Sequence, residues 1–291
     1  MSDAITLHHG ELEFPALAAG DGPAVLLLHG FPDGPETWEH QLEALAGAGH
    51  RAIAPTLRGY APEAQPADGD YHTIRMAEDV VAWVEQLGGR AHLIGHDWGA
   101  TIGFAACALA PERFASFSAL AVPHPTRMAE VSASDPAQLA RFQYIMDFQA
   151  PDAESRVAAD DFGYLEDLWR GWSLGWSIPD HALSAMKARF AKPGVLSAAL
   201  AYYRQAMDVG SEAAAAGQRL LAGPFLVSTL GLAGRDDGCI SAEVFAASMR
   251  HSDFPGGLQV EVVEGAGHFL HRERPDEVSR LLLEWLSAQH S

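Results

Sequence analysis

The chain is 291 residues long, with 38 acidic and 19 basic side chains, a formal net charge of −19 and two cysteines. That charge opposes phosphate backbones and anionic bilayers, so neither nucleic-acid binding nor a membrane partner is expected. Two cysteines build no disulfide framework, Met1 to Glu13 lacks a basic stretch followed by an apolar core, and the apolar runs are strand-sized, so the expectation is a cytoplasmic protein with one large core.

In chain order, alternation on either side of Gly10 predicts a β-hairpin from residues 5–9 and 11–16. Strand and helix then alternate: strand 24–29, helix 37–48, strand 51–56, and helix 73–87 with Met76, Val80, Trp83, Val84 and Leu87 on one face. A short apolar strand, 91–95, leads into an alanine-rich helix, 98–110, and strand 114–122 follows. Such an order makes an α/β protein with a doubly wound, mostly parallel sheet. After Pro123-His124-Pro125 the pattern turns helical for about a hundred residues, with Trp169, Trp172, Trp176, Tyr202 and Tyr203 and no clear buried strand, and it reads as an inserted lid. Strand character returns at 225–233 and 258–263, each ahead of a helix, 242–249 and 275–289. The expected division is a core of 1–124 and 223–291 with a helical lid over 125–222.

The most informative stretch is Gly95-His96-Asp97-Trp98-Gly99, at the junction of a strand and a helix. It places a carboxylate where a Gly-x-Ser-x-Gly elbow places a hydroxyl, with small residues that let the backbone reverse sharply. The exchange changes the reaction. A serine that attacks a saturated carbon leaves an ether that no later step opens, whereas Asp97 leaves an ester with its carbonyl on the enzyme, open to hydrolysis. An epoxide or alkyl halide is therefore expected as substrate, rather than a carboxylic ester.

The base and the orienting acid are sought after the last two strands. Gly265-Ala266-Gly267-His268-Phe269 follows the last and puts His268 on a loop, where it can activate a water. Gly234-Arg235-Asp236-Asp237-Gly238 follows the one before, and Asp237 is favoured over Asp236 as the partner of His268. His29-Gly30-Phe31-Pro32 ends the first parallel strand; its role is backbone geometry, with the N–H groups of Phe31 and Trp98 forming an oxyanion hole over Asp97, and a cis Phe31-Pro32 bond fits the turn. His29 reads as structural, and Asp33 reads either as a holder of the hydrolytic water or as a helix cap.

Together, His29-Gly30-Phe31-Pro32, Gly95-His96-Asp97-Trp98-Gly99, Gly234-x-x-Asp237 and Gly267-His268 resemble the soluble epoxide hydrolases of the α/β-hydrolase superfamily, over nearly the whole chain. Tyr144-Ile145-Met146-Asp147-Phe148-Gln149-Ala150-Pro151 has the form of that family's first lid-tyrosine motif, and Tyr202-Tyr203-Arg204 that of the second. The resemblance implies Tyr144 and Tyr203 as acids for the ring oxygen, a pocket lined by Phe31, Trp98, Phe148 and Trp172, a small neutral epoxide and water as reactants, no metal or cofactor, and a monomer or homodimer. Haloalkane dehalogenases share the fold, the nucleophile and Trp98, but Phe31 and the tyrosine pair favour an oxygen leaving group. An Arg in place of Trp98, as in fluoroacetate dehalogenases, is absent. A hydrolase scaffold that only binds a ligand is expected to lack a triad member, and this chain has a candidate for each.

Overall fold

The computed structural model describes residues 2–208 and 210–289. Eight strands form one sheet: β1 (Asp3–His9), β2 (Leu12–Ala19), β3 (Ala24–Leu28), β4 (Arg51–Pro55), β5 (Ala91–His96), β6 (Phe114–Leu120), β7 (Thr229–Gly234) and β8 (Leu258–Val263), in the order β1-β2-β4-β3-β5-β6-β7-β8. The N-terminal hairpin is antiparallel and β2 meets β4 antiparallel; every pairing from β4 to β8 is parallel. A parallel sheet covered on both faces needs strands that are apolar throughout. β3 shows why: its five residues are all buried, with Val25 and Leu27 in one core layer and Leu26 and Leu28 in the other.

Helix α1 (Glu39–Gly47) covers one face, and α2 (Thr73–Gln86) and α3 (Trp98–Leu109) cover the other. The stripe expected on α2 is the one it buries, with Met76, Val80, Trp83 and Val84 in the core. Among the described residues, seven helices and no strand run between β6 and β7: α4 (Pro125–Ser132), α5 (Pro136–Arg141), α6 (Gln143–Asp147), α7 (Ala153–Trp172), α8 (Asp180–Phe190), α9 (Val195–Ala206) and α10 (Glu212–Leu221). Helix α11 (Ala242–Ser248) joins β7 to β8, and α12 (Leu270–Glu273) and α13 (Pro275–Ala288) close the fold, α13 packing with α1 through Val278, Leu282 and Leu286. Among the described residues no helix is long and apolar enough to cross a membrane.

Some boundaries differ from expectation for local reasons. The strand expected from residue 225 begins at Thr229: Phe225 is buried, but its ring packs on Phe104 and Phe254 and its N–H donates to Asp253, outside the ladder. The helix expected from residue 37 opens as a 3-10 turn, Pro35–Trp38, with proline in its first turn. Trp169 and Trp172 lie on α7, and Trp176 lies beyond its end. Within α7 the helix breaks at 159–162, where Asp160, Asp161 and Phe162 take positive φ.

Candidate active site

Asp97 sits between β5 and α3 with φ 54 and ψ −121, a backbone conformation that non-glycine residues rarely adopt. The turn is possible because α3 lies very close to the sheet. A Cβ on Gly95 would overlap the backbone of Gly99, and one on Gly99 would overlap the Leu28 carbonyl. Each strand end beside the elbow delivers one part of the site, as expected where ligands gather at the carboxyl edge of a parallel sheet. After β3, the Phe31-Pro32 bond is cis and the Phe31 N–H donates to Asp97 Oδ1 at 2.7 Å. Trp98 supplies the first N–H of α3, one of the donors that a helix leaves unpaired at its start.

His268, after β8, is fully buried and its Nδ1 lies 2.9 Å from Asp237 Oδ2. Its Nε2 faces Asp97 Oδ2 at 3.5 Å. The other Asp237 oxygen accepts the N–H groups of Cys239 (2.6 Å) and Ile240 (3.0 Å), which fixes the carboxylate in its loop. Asp236 is exposed, so the two adjacent acids are told apart by where the loop points them. Burial disfavours an imidazolium at His268, but the carboxylates of Asp237 and Asp97 outweigh it and raise the imidazole to about 10. Behind it, His96 Nε2–H donates to the His268 carbonyl at 2.9 Å. Burial, with His268 alongside, holds His96 at about 3, so it remains a neutral donor.

Tyr144 and Tyr203, from α6 and α9, line the same cavity as Asp97 and Trp98, with their rings 5.7 Å apart. Among the hydrogen bonds of the described residues, the Tyr203 hydroxyl is buried without a partner. Tyr202 instead donates to the Arg58 carbonyl at 2.6 Å, so of the adjacent pair it is Tyr203 that opens on the cavity. Burial lifts both Tyr144 and Tyr203 well above the usual phenol range, which keeps them protonated hydrogen-bond donors at neutral pH.

The pocket expectation needs correction at three positions. Of Phe31, Trp98, Phe148 and Trp172, only Trp98 lines the cavity. Phe31 and Phe148 stack edge-on against Tyr203, and Trp172 packs between Tyr144 and His268, so these rings back the reactive side chains and leave the open face to others. His29 is structural: it is buried, its Nε2 accepts the Leu57 N–H and its Nδ1–H donates to the Gly30 carbonyl. Asp33 does not line the large cavity; its Oδ1 accepts the N–H of Gly34, the cap position of the turn that follows, at 2.9 Å, and it borders a separate space of about 30 Å³ with Glu36, Arg189 and Arg272.

Several lining residues carried no signal in the sequence. Cys239 is buried on the Asp237 loop with its Sγ 3.8 Å from the Tyr144 hydroxyl. Its place two residues after the acid was the available clue. Met128, Met207 and Gly217 reach the cavity from α4, the end of α9 and α10, and nothing short of the tertiary arrangement shows it.

The family described as the alpha/beta hydrolase fold matches residues 23–275. The chain is 33% identical over 304 residues to epoxide hydrolase A of Mycobacterium tuberculosis, covering 91% of this chain and 90% of that one. It is 32% identical over 298 residues to the AB hydrolase superfamily protein YfhM of Bacillus subtilis, covering 99% and 96%. Its structure is similar to that of an epoxide hydrolase from Vigna radiata, with a TM-score of 0.81, 26% identity and coverage of 99% and 98%.

Proposed function

The chain belongs to the α/β-hydrolase family, within its epoxide-hydrolase branch, and from that premise we propose that it hydrolyses an epoxide to a vicinal diol through an ester on Asp97. Residues 125–222 act as the lid on a core of 1–124 and 223–291, the lid supplying the acids and the core the nucleophile. Asp97 Oδ2 attacks a ring carbon, the ring C–O bond breaks, and its electron pair goes to the oxygen, which takes a proton from Tyr144 or Tyr203. The Asp97 charge disappears as the ester forms. That charge was one of the influences holding the proton on His268, so the imidazolium can now return a proton to the tyrosinate and become a neutral base. His268, oriented by Asp237, then takes a proton from water attacking the ester carbon. The oxyanion forms on Oδ1, where the Phe31 N–H already donates, joined by that of Trp98. Collapse frees the diol and restores the carboxylate and the imidazolium, so the protons balance over the cycle.

The observation that carries this reading is the division of labour on Asp97, which lines the cavity of the two tyrosines: one oxygen is held by a backbone donor and the other faces His268. The test is His268→Gln incubated with an epoxide that the wild type turns over. It is expected to accumulate a covalent adduct on Asp97, read by intact mass and peptide mapping; an unmodified Asp97 in that variant would overturn the mechanism.

A further inference from the structure

The cavity above Asp97 encloses about 640 Å³, a volume typical of pockets for drug-sized ligands and much larger than an epoxide with a small substituent requires. Its floor is buried and holds Asp97, Tyr144 and Tyr203; its other polar groups, such as His72, Gln205 and Gln218, are partly or largely exposed and mark the mouth. Between them the wall is apolar, with Val122, Met128, Phe142, Ile145, Leu221 and Ile240. Among the described residues no Lys or Arg lines it, and its carboxylates are Asp97 and Glu130. A substrate carboxylate inside would lose its hydration without meeting a cation.

Helix α10 contributes the decisive detail. Gly217 is buried and lines the cavity, yet a Cβ built on it would meet no atom within 4 Å. The space a side chain would fill is therefore part of the cavity. With Ala213 and Ala214 one turn earlier on the same wall, α10 presents a low face along which a chain can lie.

We propose that the substrate is a bulky, uncharged, mostly hydrocarbon epoxide whose ring reaches Asp97 while its chain lies along α10 over Gly217. This rests on the epoxide-hydrolase reading and adds its substrate class. The experiment compares three probes at neutral pH: methyl 10,11-epoxyundecanoate, its free acid, and styrene oxide. The ester is expected to exceed the acid at least ~10-fold in kcat/KM, the scale on which apolar pockets discriminate. The ratio of ester to styrene oxide is expected to exceed one in the wild type, to fall modestly in Gly217→Ala and to fall ~10-fold in Gly217→Leu. Thermal melting of each variant identifies folded protein, and the alanine variant carries the test if leucine does not fold. Equal turnover of ester and acid, or a ratio unchanged by a folded Gly217 variant, would overturn the inference and leave the hydrolase reading standing. Failure of all three epoxides to turn over would overturn the hydrolase reading itself.

Discussion

At the scale of single residues, the proposed mechanism moves one negative charge. While Asp97 is a carboxylate, His268 is held as an imidazolium up to about 10; once Asp97 is esterified, Asp237 remains as the nearest counter-charge. The base should therefore titrate lower in the ester than in the free enzyme. Single-turnover ester hydrolysis is expected to rise with pH through an apparent pKa below 10, measured by rapid quench across pH 6 to 10. A rate flat over that range would mean that His268 is not the base. On the same proposal, the tyrosines act in the other half of the cycle. Replacing both, in Tyr144→Phe with Tyr203→Phe, removes the proton donors for the ring oxygen and is expected to slow alkylation by ~10²–10⁴-fold, with much less effect on ester hydrolysis. Pre-steady-state tryptophan fluorescence separates the two steps, since Trp98 lies against Tyr203 with ring centroids 5.2 Å apart.

At the scale of elements, what could be read from the sequence was what repeats locally. The alternation of strand and helix, the stripe on α2 and the glycine-flanked elbow all carry a period or a fixed spacing, and they fold as such. Asp97, Asp237 and His268 were legible because each follows a strand in the order that the sheet requires. Helix α12 has four residues, too few to show a period, and the buried Phe225 looked like a strand residue because apolarity alone does not distinguish a ladder from an aromatic cluster. The pocket was misread for a related cause: Phe148 and Trp172 are aromatic and near the reactive groups, but which face of a ring meets open space is decided by elements distant in sequence. Two glycines on helices show how context sets the sign of one substitution. Gly99→Ala presses a methyl into the Leu28 carbonyl and is expected to cost at least about 1–3 kcal/mol. Gly171→Ala, in an exposed stretch of α7 with nothing within 4 Å of the new Cβ, is expected to gain about 0.5–1 kcal/mol. Urea unfolding of both variants checks the pair.

At the scale of the whole molecule, charged pairs tie its layers together. The Arg58 guanidinium donates to both oxygens of Asp79 on α2, each at 2.7 Å, while the Arg58 carbonyl receives the Tyr202 hydroxyl from α9. Arg58→Ala removes two charged hydrogen bonds and leaves the buried Asp79 carboxylate with His9, at 2.7 Å, as its partner, and a loss of about 1.5–3 kcal/mol is expected in equilibrium unfolding. A second tie crosses nearby, where Arg189 of α8 pairs with Glu36 at 2.6 Å and Trp169 donates to the Pro32 carbonyl at 3.1 Å. These anchors bear on the origin of the reactive groups, since Asp97 rides on the sheet while Tyr144 and Tyr203 ride on α6 and α9. An electrophile that reached Asp97 with those helices displaced would find no proton for its departing oxygen, and the bond-breaking step would stall. On the proposed mechanism, reaction therefore depends on the sheet and these helices being docked together.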